Sequence, residues 1–182
     1  MVVVLLALVK YNGKFHFGKS VLILLSLFGL LHLSGGVFHI GETRLYDYWF
    51  ISGWFKFDNL VHSIGGGLAA VLAYNFLENR LVPKIRYNGF IFIFVIVTIA
   101  SGLGAYNEIL ELIAVVFFNA GKAVGDYMNN ALDLVFNLIG AFIAANIMYY
   151  HLYTYFGFAD ENECDVEIDV NEKTEINIKV EK

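Results

Sequence analysis

Five carboxylates stand within or at the ends of long apolar runs: Asp58, Glu108, Glu111, Asp126 and Asp133. An ionisable group inside a bilayer is costly and faces a bundle interior or a water-filled cavity. Spacing ties these acids to other polar side chains. Asp58 and His62 are four residues apart and share one helix face. Glu108 and Glu111 are three apart, and Asn130, Asp133 and Asn137 repeat at helical spacing. His32 and His39 do the same at a separation of seven. The candidate polar site is therefore Asp58, His62, Glu108, Glu111, Asp126, Asn130, Asp133 and Asn137.

These residue types allow three kinds of chemistry. Carboxylates with an imidazole can hold a divalent metal, and Asp58, His62, Glu108, Glu111 and Asp133 are the candidate ligands. Such a metal could activate water against a lipid or a lipid-linked substrate. Stacked carboxylates and histidines can also relay protons or bind ions during transport. The plain reading is that the groups hydrogen-bond one another and fix the bundle. Taken singly, His62 reads as an interhelical donor, His32 as packing or a lone hydrogen bond, and Asp126 as a helix cap. No H-E-x-x-H, Gly-rich phosphate loop, nucleophile elbow or C-x-x-C pair is present, so enzyme, transporter and structural readings stay open.

The elements that must position these residues follow from composition. Of 182 residues, 58% are hydrophobic and only 16% charged. A soluble domain is roughly 45–50% apolar and about 25% charged. One proline and one cysteine exclude a Pro-rich linker and a disulfide scaffold, and a net charge of -5 excludes a basic nucleic-acid binder. The expected class is an all-α, polytopic membrane helical bundle with membrane lipids as its surroundings. The charge divides in two. Residues 157–182 hold nine acids against three lysines, whereas residues 1–156 hold eight acids against nine bases. The chain thus divides into a transmembrane domain, 1–156, and an acidic tail, 157–182.

Four stretches can span, at about 20 apolar residues each. They run from about Ser20 to Ile40, Asp58 to Leu77, Gly89 to Phe118 and Asn129 to Tyr153. Residues 2–9 are apolar but too short, and no cleaved signal peptide is expected. The third stretch is about 45 Å as one helix. It either tilts or breaks near Gly102-Leu103-Gly104. Six bases in the 10–19 and 78–88 connections against three in 41–57 and 119–128 place the first two connections, and the tail, in the cytoplasm. Trp49, Trp54 and neighbouring aromatics put the 41–57 loop along the outer surface. The second and fourth spans then begin where the third ends, and their polar stripes converge at one depth.

Gly65–Gly67, Gly140/Ala144 and Ala141/Ala145 place small residues at helical spacing. Close helix packing is the favoured reading over backbone approach to a ligand. In the tail, Val166, Ile168 and Val170, then Ile176, Ile178 and Val180, alternate with polar residues around a turn. That suggests a small hairpin or a disordered acidic segment, suited to a protein partner.

Phe57-Asp58-Asn59-Leu60-Val61-His62, Tyr106-Asn107-Glu108-Ile109-Leu110-Glu111, Gly125-Asp126 and the run Asp133–Gly140 carry a resemblance. In order and spacing they resemble the YjdF-like family of small multi-pass membrane proteins, and more distantly the VanZ-like proteins. The likeness covers about residues 57–145. It departs from the YjdF-like pattern at Asn107, where an acid commonly follows the tyrosine. The resemblance implies a compact multi-span helical protein in the cell membrane, with no mechanism to carry over. The VanZ-like proteins are linked to glycopeptide-antibiotic resistance, which points towards cell-envelope chemistry.

Overall fold

The computed structural model describes residues 18–78, 80–82, 85–86, 88–118 and 127–156. Four helices, α1 (Lys19–Val37), α2 (Phe57–Leu77), α3 (Gly89–Phe118) and α4 (Tyr127–Phe156), are each long and apolar enough to cross a membrane. Between α1 and α2 lie two small antiparallel hairpins. The first pairs β1 (His39–Ile40) with β2 (Thr43–Arg44), and the second pairs β3 (Trp49–Ile51) with β4 (Phe55–Lys56). A 3-10 turn, Leu45–Asp47, joins them. Gly41 and Gly53 close the two hairpins at φ 63° and 75°, a backbone region that other residues rarely enter.

The bundle has an apolar interior and, unlike a soluble protein, an apolar outer surface as well. Its interior is built from Ala70 and Ala73 of α2, Phe92, Ile96 and Ala100 of α3, and Ala141 and Ala145 of α4. The large aliphatic and aromatic side chains point outward; Leu30 is 65% exposed and Phe90 81%. Water would penalise that surface, but lipid tails do not. α1 joins the others more lightly, through Val21 and Leu25 against Leu68.

The small-residue spacings locate the tightest contact. A Cβ added at Gly66 would strike the backbone carbonyl of Asn137, and one added at Gly140 would strike that of Ser63. Packing of α2 on α4 backbone to backbone is what these glycines permit, as the spacing suggests.

One expectation changes, and one open alternative is decided. α1 ends at Val37, short of Ile40, so His39 leaves the helix. It is exposed in β1, opposite Arg44 in the hairpin, with Nδ1 3.1 Å from the Val37 carbonyl, and it does not line the cavity described below. α3 runs unbroken from Gly89 to Phe118, so the break near Gly102–Gly104 does not occur. Gly102 faces open space, while Gly104 receives the Asn137 side chain, so a glycine there serves packing rather than a hinge. At about 45 Å each, α3 and α4 exceed a hydrocarbon core of about 30 Å, so they tilt or project. Residues 2–9, Asp126 and the tail 157–182 lie outside the described residues.

Candidate functional site

The site begins at the junction of β4 with α2. Lys56 is extended and caps the helix, its backbone N–H donating to Asn59 Oδ1 at 3.0 Å. Asn59 therefore works as a side-chain cap three residues into the helix. This fixes the direction of the first turn, where Asp58 sits beside the positive end of the helix dipole. The Lys56 side chain folds inward. Its Nζ lies 2.9 Å from Asp58 Oδ2 and donates to Asn129 Oδ1 of α4.

From there a closed ring of side chains links the two helices. Asn129 Nδ2 donates to Asp133 Oδ2 at 2.8 Å. Asp133 Oδ1 lies 3.6 Å from His62 Nε2, and the same nitrogen is 3.5 Å from Asp58 Oδ1. Two pairs at i and i+4, Asp58/His62 on α2 and Asn129/Asp133 on α4, thus face each other with Lys56 joining their ends. α3 closes the third side. His62 Nδ1 is 3.9 Å from Glu108 Oε1, and Asn107 Nδ2 donates to Glu111 Oε1 at 2.8 Å.

The donor supply falls short of the acceptors. Asp133 is 1% exposed and Glu108 9%. Both Glu108 oxygens and Asp133 Oδ1 are buried with no hydrogen-bond donor in reach among the described residues. Leaving a buried acceptor unsatisfied costs about 1–3 kcal/mol, and more when it is charged. Ligand atoms of Asp58, His62 and Asp133 lie within 4.8 Å of one another, as do those of His62, Glu108 and Glu111. His62 belongs to both groups, one ring nitrogen facing each.

A cavity of about 220 Å³ opens onto this cluster. Asp58, His62, Glu111 and Asp133 line it together with Lys56, Asn129, His32, Arg44, Tyr46 and Asp47. Its mouth is shaped by Tyr46, whose ring lies across α1 at Gly35. A Cβ there would come within 2.8 Å of the ring. The Tyr46 hydroxyl reaches His32 Nδ1 at 2.7 Å and donates to the His32 carbonyl at 2.8 Å. Burial, with Asp58 and Glu111 nearby, raises the Tyr46 hydroxyl well above an ordinary phenol. Arg44 Nε bonds Asp47 Oδ2 at 2.9 Å on the open side.

Asp58, His62, Glu108, Glu111 and Asp133 therefore meet at one end of the bundle. Asn130 and Asn137 do not line the cavity. Asn130 Oδ1 is buried without a hydrogen-bond partner among the described residues, and Asn137 sits one turn deeper, at the α2–α4 crossing. Sequence reasoning missed Lys56, Asn129, Arg44, Tyr46 and Asp47. Asn129 carried a readable signal, since it stands four residues before Asp133. Lys56 looked like a loop charge because aromatic residues flank it.

These features define a polytopic α-helical membrane protein with its buried polar groups gathered at one end of the bundle. The chain belongs to the family described as "Predicted membrane protein (DUF2238)", whose model matches residues 1–154. No curated protein and no solved structure matches it.

Proposed function

We propose that this protein binds a divalent cation in the membrane-embedded site formed by His62 Nδ1, Glu108 and Glu111, with Asp133 and Asp58 holding the other ring nitrogen. The observation that carries this is that, among the described residues, both oxygens of the buried Glu108 lack a hydrogen-bond donor while His62 Nδ1 and Glu111 lie beside them. A cation of charge two supplies what the side chains lack. Mixed carboxylate and imidazole ligands suit Zn²⁺ or Mn²⁺. Lys56 neutralises Asp58 from the opposite side, Asp133 orients the imidazole from Nε2, and the α3 carboxylates are left for the metal. A bound metal next to a polar cavity is suited to activating water or polarising a phosphoryl or carbonyl oxygen.

The likeness of residues 57–145 to the YjdF-like and VanZ-like proteins supports placing the protein in the cell membrane, with a role in envelope chemistry. The excess of bases in the 10–19 and 78–88 connections supports a cytoplasmic tail, open to a protein partner.

Metal analysis of protein purified in mild detergent tests the cation. The expected result is one Zn or Mn per chain, lost in Glu108→Gln and in Glu111→Gln while both variants stay folded. A folded wild-type protein that takes up neither metal after loading and desalting would end this reading.

A further inference from the structure

We propose that the polar cavity and a neighbouring apolar groove form one site for a phosphate-headed lipid, with the head group in the cavity and an acyl chain along the groove. The inference rests on the cation reading above and names its ligand class. The groove has a volume of about 460 Å³ and runs between α1, α2 and α4. Leu24, Leu27, Phe28 and Leu31 form one wall, and Ile64 and Val71 face them. From Leu24 to Leu31 it extends about 10 Å along α1, the reach of a medium acyl segment.

Groove and cavity are adjacent on the same two helices. On α1, Phe28 lines the groove and His32, one turn on, lines the cavity; their rings lie 6.3 Å apart. On α2, Ile64 lines the groove and His62 the cavity. Phe28 also rests on Gly65, where a Cβ would come within 3.0 Å of its ring. An amphiphile entering sideways from the bilayer would therefore meet apolar side chains first and charged ones a turn later.

The cavity's donors select the head group. Lys56 Nζ has three N–H groups, of which Asp58 and Asn129 take two. Arg44 uses Nε on Asp47, which leaves its terminal nitrogens to donate. A phosphate bridging these donors to a cation held by His62, Glu108 and Glu111 joins the two sides of the cavity, which His62 and Glu111 line. Arg and Lys beside a metal are a common setting for a phosphoryl group.

The test uses the full chain in phosphatidylcholine nanodiscs with Mn²⁺ and a phosphatidic acid carrying a diazirine in its acyl chain. Crosslinks are expected on the Leu24–Leu31 and Ile64–Val71 segments. Excess dioctanoyl phosphatidic acid should suppress them at least about ten-fold more than dioctanoylglycerol, the worth of one charge-assisted hydrogen bond. Inorganic phosphate should leave them unchanged. Leu24→Trp, which plugs the groove from its lipid-exposed side, should abolish the localised labelling while metal content stays at the wild-type level. Labelling spread over outward positions such as Phe90 and Phe94 would overturn the proposal. So would equal competition by dioctanoylglycerol, or displacement by phosphate alone. Localised, phosphate-dependent labelling in a protein that never binds metal would support the lipid site while refuting the cation.

Discussion

The two ends of the α2–α4 pair solve opposite problems. At the crossing, Gly66 and Gly140 present no side chain of their own, and the backbones touch. Two turns away, towards the helix starts, Lys56, Asp58, His62, Asn129 and Asp133 fill the gap with charge. Water outside the bilayer cannot drive the crossing together, so close van der Waals contact must. That contact fixes the interhelical distance, and the fixed distance holds the charged ring in register. The crossing is thus the rigid part, and the polar end is the part with unmet bonding capacity.

Breaking one partner of the charged ring should have the largest effect. Asp58→Ala strands the buried Lys56 ammonium and is expected to cost about 3–5 kcal/mol in detergent unfolding. The double variant Lys56→Met with Asp58→Leu should cost clearly less, because it removes both charges together. A double variant as unstable as Asp58→Ala alone would mean the ring contributes more than charge pairing.

At the other end, Gly66→Ala and Gly140→Ala should each cost about 3 kcal/mol, since overpacking here meets backbone that cannot turn aside. The measurement is the unfolding midpoint of each variant beside Gly102→Ala, where the added methyl meets open space. Gly102→Ala should be neutral or slightly stabilising, because alanine favours the helix by up to about 1 kcal/mol. Equal losses at Gly66 and Gly102 would remove the distinction between crossing and surface.

A smaller effect belongs to the cavity mouth. Tyr46→Phe should cost about 1 kcal/mol through its hydrogen bonds to His32, with metal content unchanged. Its pH dependence has a definite sign. Burial raises the Tyr46 hydroxyl above its unfolded value of about 10. Its contribution is therefore complete below about pH 10 and is lost as the pH rises further. The stability gap between wild type and Tyr46→Phe should shrink in that range. A gap that widens above pH 10 would contradict the buried, protonated hydroxyl.

Much of this was legible in the sequence, for reasons that also show where legibility ended. The four spans could be read because apolar runs of bilayer length need no tertiary information. The Gly66 and Gly140 spacings announced close packing, although they named no partner. Asp133 could be joined to Asp58 and His62 because the antiparallel spans place it at the same depth, and those two could be paired because helical spacing puts them on one face. The same rule put Asn137 with Asp133, yet one further turn carries it about 6 Å deeper into the crossing, where no cavity fits. Periodicity gives a face but not the depth at which two helices part. Lys56 and Tyr46 were harder still. They act through an aromatic hairpin whose backward fold depends on contacts such as Phe55 with Phe136, far apart in the chain.

The most direct measurement is X-ray absorption on Zn²⁺-loaded protein in mild detergent. The account predicts light-atom ligands at about 2.0–2.2 Å, with one imidazole nitrogen among carboxylate oxygens. The imidazole scattering should disappear in His62→Gln. A zinc shell of sulfur, or one with no imidazole in the wild type, would contradict a cation held between α2 and α3.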